Sequence, residues 1–310
     1  MTPTSTFHHD PVMPREVLDC IDPSAGDWIF DGTVGGAGHA ALLFEHCPEC
    51  RLVAVDRDPE ALQAARARLE PWVDRVTFVQ ARFDRALDAP ELTGLHFDGM
   101  LLDLGISSHQ VDMERRGFTF REGAPLDMRM ESAGRTAADL LNDESESELA
   151  RIFFEYGEER RSRSLARAIV RRRDEHPFAT SDDLVGVWTA VLGRPASHQE
   201  KARVFQALRI AVNGELEALR EALPRMRDAL ARDGVLVVIA YHSLEDRLVK
   251  RAFREWSRAC VCPPGLPVCT CRGRALGTLV TRRPLRPSDA EVEANPRARS
   301  AVLRAWRKAA

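Results

Sequence analysis

Trp28-Ile29-Phe30-Asp31-Gly32-Thr33-Val34-Gly35-Gly36-Ala37-Gly38-His39 is the stretch that decides the fold. Three apolar residues closed by an acid read as a short buried strand, and the glycines after it allow a turn with positive φ and close approach to a ligand. A helix is expected from about His39 to Glu45. Further along, Arg51-Leu52-Val53-Ala54-Val55-Asp56 reads as a second strand ending in an acid. Pro59 then opens a helix whose Ala61, Leu62, Ala65 and Leu69 share one face. Val76 to Val79 is a third strand, and Phe97 to Leu102 is a fourth that runs into Asp103. Strands alternating with amphipathic helices are the pattern of βαβ units around a parallel sheet, so the fold class is α/β.

After Asp103 the pattern changes. From about Gln110 to Gly214 there is no convincing strand, but helical stretches are expected over 144–156, 161–173, 181–192 and 201–212. In the last of these Ala202, Phe205, Leu208 and Val212 recur at helical spacing. Strand character returns at Val235 to Tyr241, with weaker strands at Leu276 to Thr281 and Ala301 to Trp306. This gives a discontinuous α/β domain, 1–110 and 214–310, interrupted by a helical insertion over 111–213, a reasonable size for a small domain.

The chain has 310 residues, of which 44% are hydrophobic and 29% charged, the balance of an ordinary globular protein. The longest apolar run, Val235 to Ala240, is too short to cross a bilayer. The first residues, with His8, His9 and Asp10, lack the basic and apolar regions of a secretory signal. A cytoplasmic location and no membrane partner are therefore expected. The net charge of −3 hides an asymmetry: from Lys250 onward there are fourteen Lys and Arg against four Asp and Glu. That segment, and the cluster Arg160, Arg161, Arg163, Arg167, Arg171, Arg172 and Arg173, could contact phosphates. A solvated helix face is the alternative reading of the cluster.

Two cofactor classes compete for the glycine-rich turn. Gly36, Gly38 and Ala41 satisfy the G-x-G-x-x-G/A dinucleotide pattern, and Asp56 lies where a ribose-binding acid would sit. Asp31, however, stands beside the turn, where it would repel a pyrophosphate and suit the ammonium of S-adenosylmethionine. Asp56 is placed to accept both ribose hydroxyls of that cofactor. The bland alternative is a plain turn with acids at strand ends.

From Asp103-Leu104-Gly105-Ile106-Ser107-Ser108-His109-Gln110 onward the chain resembles one family, the MraW/RsmH methyltransferases. The resemblance continues through RGFTF (116–120), PLDMRM (125–130), YGEE (156–159), FQALRIAVNGEL (205–216), HSLEDRLVK (242–250) and NPRARSAVLR (295–304). It implies a class I (Rossmann-like) S-adenosylmethionine-dependent methyltransferase domain with a small helical domain inserted between its fourth and fifth strands. The implied activity is methylation of the N4 exocyclic amine of a cytidine in the decoding region of bacterial 16S rRNA. The implied partner is that rRNA or the small ribosomal subunit, not DNA, with the helical insertion as the RNA-substrate domain. The implied cofactor contacts are Ala37, Gly38, His39, Asp56, Phe83, Asp103 and Gln110, with Phe83 against the adenine and Asp103 and Gln110 near the methyl-donor end. The turn departs from the family, which usually has Gly-x-Gly-Gly-His-Ser after a Phe. Here Ala37 replaces one of those glycines, at little cost if its φ is negative. His198-Gln199-Glu200-Lys201-Ala202-Arg203 also departs from the usual His-Pro-Ala pattern.

The cytosine amine is a poor nucleophile because its lone pair is delocalised, so it must be positioned and its hydrogens accepted as charge develops. Asp103 is the expected catalytic acceptor, with Ser107, Asp127 and His242 behind it, and a structural role is equally open for His242. Rival readings are a nicotinamide-dependent oxidoreductase and a non-catalytic RNA-binding factor. Of the seven cysteines, Cys260, Cys262, Cys269 and Cys271 form C-x-C-x6-C-x-C, which could hold a structural Zn²⁺ or be ordinary reduced thiols. Cys47-Pro48-Glu49-Cys50 is expected to be a turn.

Overall fold

A computed structural model of the chain describes residues 11–105, 116–131, 133–263, 268 and 270–310. It separates into two compact units, one of 1–105 with 217–310 and one of 106–216.

The first unit is built on a seven-stranded sheet of order β3-β2-β1-β4-β5-β7-β6. The strands are β1 (Trp28–Asp31), β2 (Arg51–Asp56), β3 (Val76–Gln80), β4 (Phe97–Asp103), β5 (Leu230–Ala240), β6 (Gly277–Leu279) and β7 (Val302–Lys308). Strands β1 to β5 run parallel, whereas β7 pairs antiparallel with both β5 and β6. Their apolar runs are near-continuous because both faces of the sheet are covered. On one face Ile29, Leu52, Ala54, Leu101, Val235, Val237 and Ile239 pack with helices α1 (Pro14–Ile21), α2 (Gly38–His46) and α3 (Pro59–Arg68). On the other, Phe30, Val53, Val55, Met100, Leu102, Leu236 and Val238 meet α9 (Glu215–Ala229) and α10 (Ser243–Trp256). A last short helix, α11 (Asp289–Ala294), precedes β7. The chain leaves β1 for β2 on one side and returns to β4 on the other, so a crevice opens at the carboxyl ends of β1 and β4. Asp31 pairs in register with Leu101 there, two residues before Asp103.

The second unit contains α4 (Ala137–Asp143), α5 (Glu146–Glu155), α6 (Ser162–Arg173), α7 (Ser181–Leu192) and α8 (His198–Asn213). Four of these helices, α4, α5, α7 and α8, start where polar side chains satisfy the first N–H groups. Thr136 with Asp139, Thr180 with Asp183 and Ser197 with Glu200 form capping boxes, and Ser145 accepts from the Glu148 N–H. Leu149, Phe153, Leu165, Ile169, Leu184 and Trp188 are buried in it. Asn213 ties α8 to an irregular segment, accepting from the Met130 N–H at 2.9 Å and donating to the Met128 carbonyl at 2.8 Å.

Candidate active site

The glycine-rich turn is laced to both neighbouring strands. Gly32 N–H donates to the Leu101 carbonyl and Val34 N–H to the Val55 carbonyl, each at 2.9 Å. Gly35 N–H donates to Asp56 Oδ2 at 3.0 Å, and Asp58 N–H to Asp56 Oδ1 at 2.9 Å. Asp58 in turn accepts from Glu60 N–H and caps α3. Glycine fits the tight space at position 32: a Cβ there would lie 2.6 Å from a Leu102 methyl and 3.2 Å from the Phe83 Cβ, so the neighbouring side chains would have to shift. That close approach seats Phe83 against the end of β1. Ala37 corrects an expectation. Its φ is +59°, in the left-handed region, not negative. An L-residue there costs about 1–2 kcal/mol, and the Ala37 methyl is fully buried, so the departure from glycine has a conformational cost.

Behind the turn the strand ends gather acids. Asp31 is 2% exposed and accepts from Thr33 N–H at 3.1 Å. Thr33 Oγ1 accepts from Asp103 N–H at 2.7 Å, which ties β1 to the end of β4. Burial pushes the Asp31 carboxyl up to about 7; His39 opposes the rise, and the charges of Asp103 and Asp56 add to it. Burial also raises Asp56, against the pull of its two backbone N–H donors. Tyr241, directly after β5, donates to Asp103; burial and the Asp103 charge hold its phenol well above the ordinary range. Gly105 leaves room for that ring, since a Cβ there would lie 2.8 Å from it. His39, in the first turn of α2, is buried, and its Nε2 makes no hydrogen bond among the described residues. It stands 3.7 Å from Asp103 Oδ2.

Asp31, Thr33, His39, Asp103 and Tyr241 thus form one cluster, with Ala37 and Gly38 at the start of α2. Asp56 is joined to it through Gly35, and Phe83 packs at Gly32. Gln110 and Ser107 lie outside the described residues. Asp127 belongs to the helical unit, where Arg129 pairs with it at 2.8 Å and holds its carboxyl below the ordinary range. His242 caps α10: its Nδ1 accepts from Glu245 N–H at 3.4 Å and its Nε2 lies 3.1 Å from the Glu245 carboxylate. Thr33 and Tyr241 were not expected. The signal available for Tyr241 is its place at the end of the strand expected over 235–241, the same kind of position that Asp31, Asp56 and Asp103 occupy.

A ligand suited to this cluster would bring positive charge to a buried acid that titrates near neutrality, and hydroxyls to Asp56. S-adenosylmethionine has both, in its ammonium and sulfonium and in its ribose. The donor set fits it.

A family profile described as the MraW methylase family matches residues 6–309. The chain belongs to that family. It is 49% identical to the ribosomal RNA small subunit methyltransferase H of Heliobacterium mobile, covering 97% of this chain and 99% of the relative. It is 50% identical to the protein of that name from Gemmatimonas aurantiaca, covering 99% and 96%. Among solved structures, an rRNA methylase from Streptococcus thermophilus aligns over 96% of this chain and 94% of its own, at 10% identity and a TM-score of 0.43, which is a weak likeness. In this member of the MraW methylase family the fold is the class I, Rossmann-like one, a parallel α/β sheet with a mainly helical second unit.

The seven clustered arginines divide. Arg172 pairs with Asp183 at 2.6 Å, Arg173 donates to the Leu141 and Glu144 carbonyls, Arg161 to the Val191 carbonyl, and Arg167 lies 3.6 Å from Glu146. Arg160, Arg163 and Arg171 are exposed and have no such partner among the described residues. No helix among the described residues is long and apolar enough to cross a membrane.

Proposed function

We propose that this protein transfers the methyl group of S-adenosylmethionine to the N4 amine of a cytidine in the decoding region of bacterial 16S rRNA. The observation that carries the reading is the cluster at the carboxyl ends of β1, β2 and β4, in a chain of the MraW methylase family. Relatives named as ribosomal RNA small subunit methyltransferases support the choice of RNA.

S-adenosylmethionine supplies the electrophilic methyl when bound. Ala37, Gly38 and His39 border it at the start of α2, Asp56 accepts the ribose hydroxyls, Phe83 packs against the adenine, and Gln110 completes the set. Asp31 balances positive charge. Asp103 accepts a hydrogen bond from the cytidine amine and steadies the positive charge that develops as the new N–C bond forms. Tyr241 and the Thr33 hydroxyl fix the Asp103 carboxyl and backbone, so little reorganisation is needed at the moment of transfer. A C5-methylation route calls for a cysteine attacking C6 of the ring. Neither 97–110 nor 230–245 contains a cysteine. Transfer to an exocyclic amine needs no such adduct.

The helical unit holds the RNA in this reading, with Arg160, Arg163 and Arg171 as phosphate contacts and the cytidine unstacked to reach the donor. The site of action is cytoplasmic. The test is methyl transfer to purified small subunits lacking the modification, followed by nucleoside analysis. N4-methylcytidine is the expected product. Finding 5-methylcytidine, or trapping a covalent complex with 5-fluorocytidine RNA, overturns the proposal.

A further inference from the structure

The cysteines that the proposed chemistry leaves unused converge elsewhere. Between the end of α10 and the start of β6 the chain carries no helix or strand among its described residues. Its ends are pinned to the helix. Leu276 N–H donates to the Trp256 carbonyl at 2.8 Å, and the Arg272 guanidinium reaches the carbonyls of Glu255 and Arg258. The two valines between them are not packed into a core: Val261 is 39% exposed and Val268 71%. The described residues of this connection have no regular structure of their own, so another organiser is needed to hold them in one conformation.

The sulfur atoms of Cys260, Cys262 and Cys271 all lie within 4.8 Å of one another. None of the three is in a disulfide. A tetrahedral zinc site has metal–sulfur bonds of about 2.3 Å and hence sulfur–sulfur edges of about 3.8 Å, so small side-chain rotations bring the three sulfurs to ligand spacing. Backbone N–H groups already point at them: Val261 N–H donates to Cys271 Sγ at 3.3 Å, and the N–H groups of Thr270 and Cys271 to Cys262. Such donors stabilise thiolate charge and orient metal-bound sulfur.

We infer that Cys260, Cys262 and Cys271 bind one Zn²⁺ ion that organises the loop between α10 and β6. Three soft, singly charged ligands select a borderline d¹⁰ cation over hard ones such as Mg²⁺ or Ca²⁺. Each thiol gives up its proton on binding, so the affinity rises with pH. Cys269, the remaining cysteine of the motif, lies outside the described residues. The site is structural and takes no part in the proposed transfer.

The test uses the full-length chain. Metal content is measured as isolated, and the chelator-stripped, reduced protein is then titrated with Co²⁺. About one zinc per chain is expected, with Co²⁺ giving a sulfur-to-metal charge-transfer band and the visible bands of tetrahedral cobalt. Cys260→Ser, Cys262→Ser and Cys271→Ser should each weaken Co²⁺ binding about tenfold or more, while circular-dichroism melts remain cooperative. Zinc-free protein that develops no charge-transfer band overturns the inference. So does full affinity in folded variants, or a disulfide among the three with no metal uptake after reduction.

Discussion

The acids at the strand ends of the α/β unit and the paired acids of the helical unit are held in opposite ways. In the helical unit carboxylates are matched with arginines. Asp127 takes Arg129, Glu148 takes Arg151, Glu200 takes Arg194, and half-buried Glu215 takes Arg209. The pairing holds Asp127 and Glu148 below the ordinary carboxylate range and Glu200 at about 2. In the α/β unit Asp31 and Asp56 accept backbone N–H groups instead of arginines, and burial raises both. A buried acid without a matched cation is a standing cost unless something cationic or hydroxyl-bearing arrives. The contrast distinguishes acids that hold a fold from acids that wait for a ligand.

That contrast can be broken, starting with the largest effect. Asp103→Ala should slow methyl transfer about 100-fold or more, the scale of losing one polar group that steadies transition-state charge. RNA affinity should change far less, and a parallel fall in both would make Asp103 a substrate-positioning group. Asp56→Ala should weaken S-adenosylmethionine binding by about 1–3 kcal/mol by calorimetry. Its counterpart Asp183→Ala, which removes a capping box, should cost about 1–2 kcal/mol of stability and leave that affinity unchanged. Equal effects on affinity from both variants would erase the distinction.

Asp31 supplies the pH test. Its folded-state value, about 7, lies above that of an unfolded-chain carboxyl, so the folded state binds the extra proton. Its contribution to stability is fully present below about pH 4 and lost as the pH rises through about 7. The ligand-free protein should therefore lose stability between about pH 4 and 7, and Asp31→Asn should flatten that slope. A cationic ligand favours the ionised form, so S-adenosylmethionine should bind more tightly as the pH rises and release protons near neutrality. Calorimetry in buffers of different ionisation enthalpy reads that release directly, and no release would detach Asp31 from the ligand. The smallest effect is expected from Ala37→Gly, which relieves the left-handed strain but removes a buried methyl. A net gain of about 0.5–1 kcal/mol in chemical denaturation is expected.

Much of this was legible in the residues. The strands ending in Asp31, Asp56 and Asp103 were readable because an apolar run too short for a helix, closed by an acid, suits a buried strand whose carboxyl end meets a polar crevice. Helix α7 falls over 181–192 as expected. The edges were less so. β6 spans only 277–279 of the expected 276–281, and β7 is shifted to 302–308. Helices α1, α4, α9, α10 and α11 are not anticipated by the sequence reading. α10 begins at a histidine cap, a residue type outside the usual Ser, Thr, Asp and Asn, and α1 follows a left-handed Met13. The conformation of Ala37 could not be read from its identity, and the sorting of seven arginines into paired and exposed depends on carbonyls and acids distant in sequence.

The strand order has a consequence for biosynthesis. β5 pairs with β4 only after the intervening residues of the second unit have been made, and β7, later still, lies between β5 and β6. At roughly 5–20 residues per second, β4 leaves the ribosome on the order of ten seconds before its partner strand exists. During that interval its outer edge, Gly99 to Asp103, presents unpaired backbone groups on an apolar strand, the profile of an aggregation template. Helices α4 to α8 rest on contacts made within one continuous stretch and can form meanwhile. The nascent chain therefore has a vulnerable half and a self-sufficient one, and holdase chaperones should be recruited to the former.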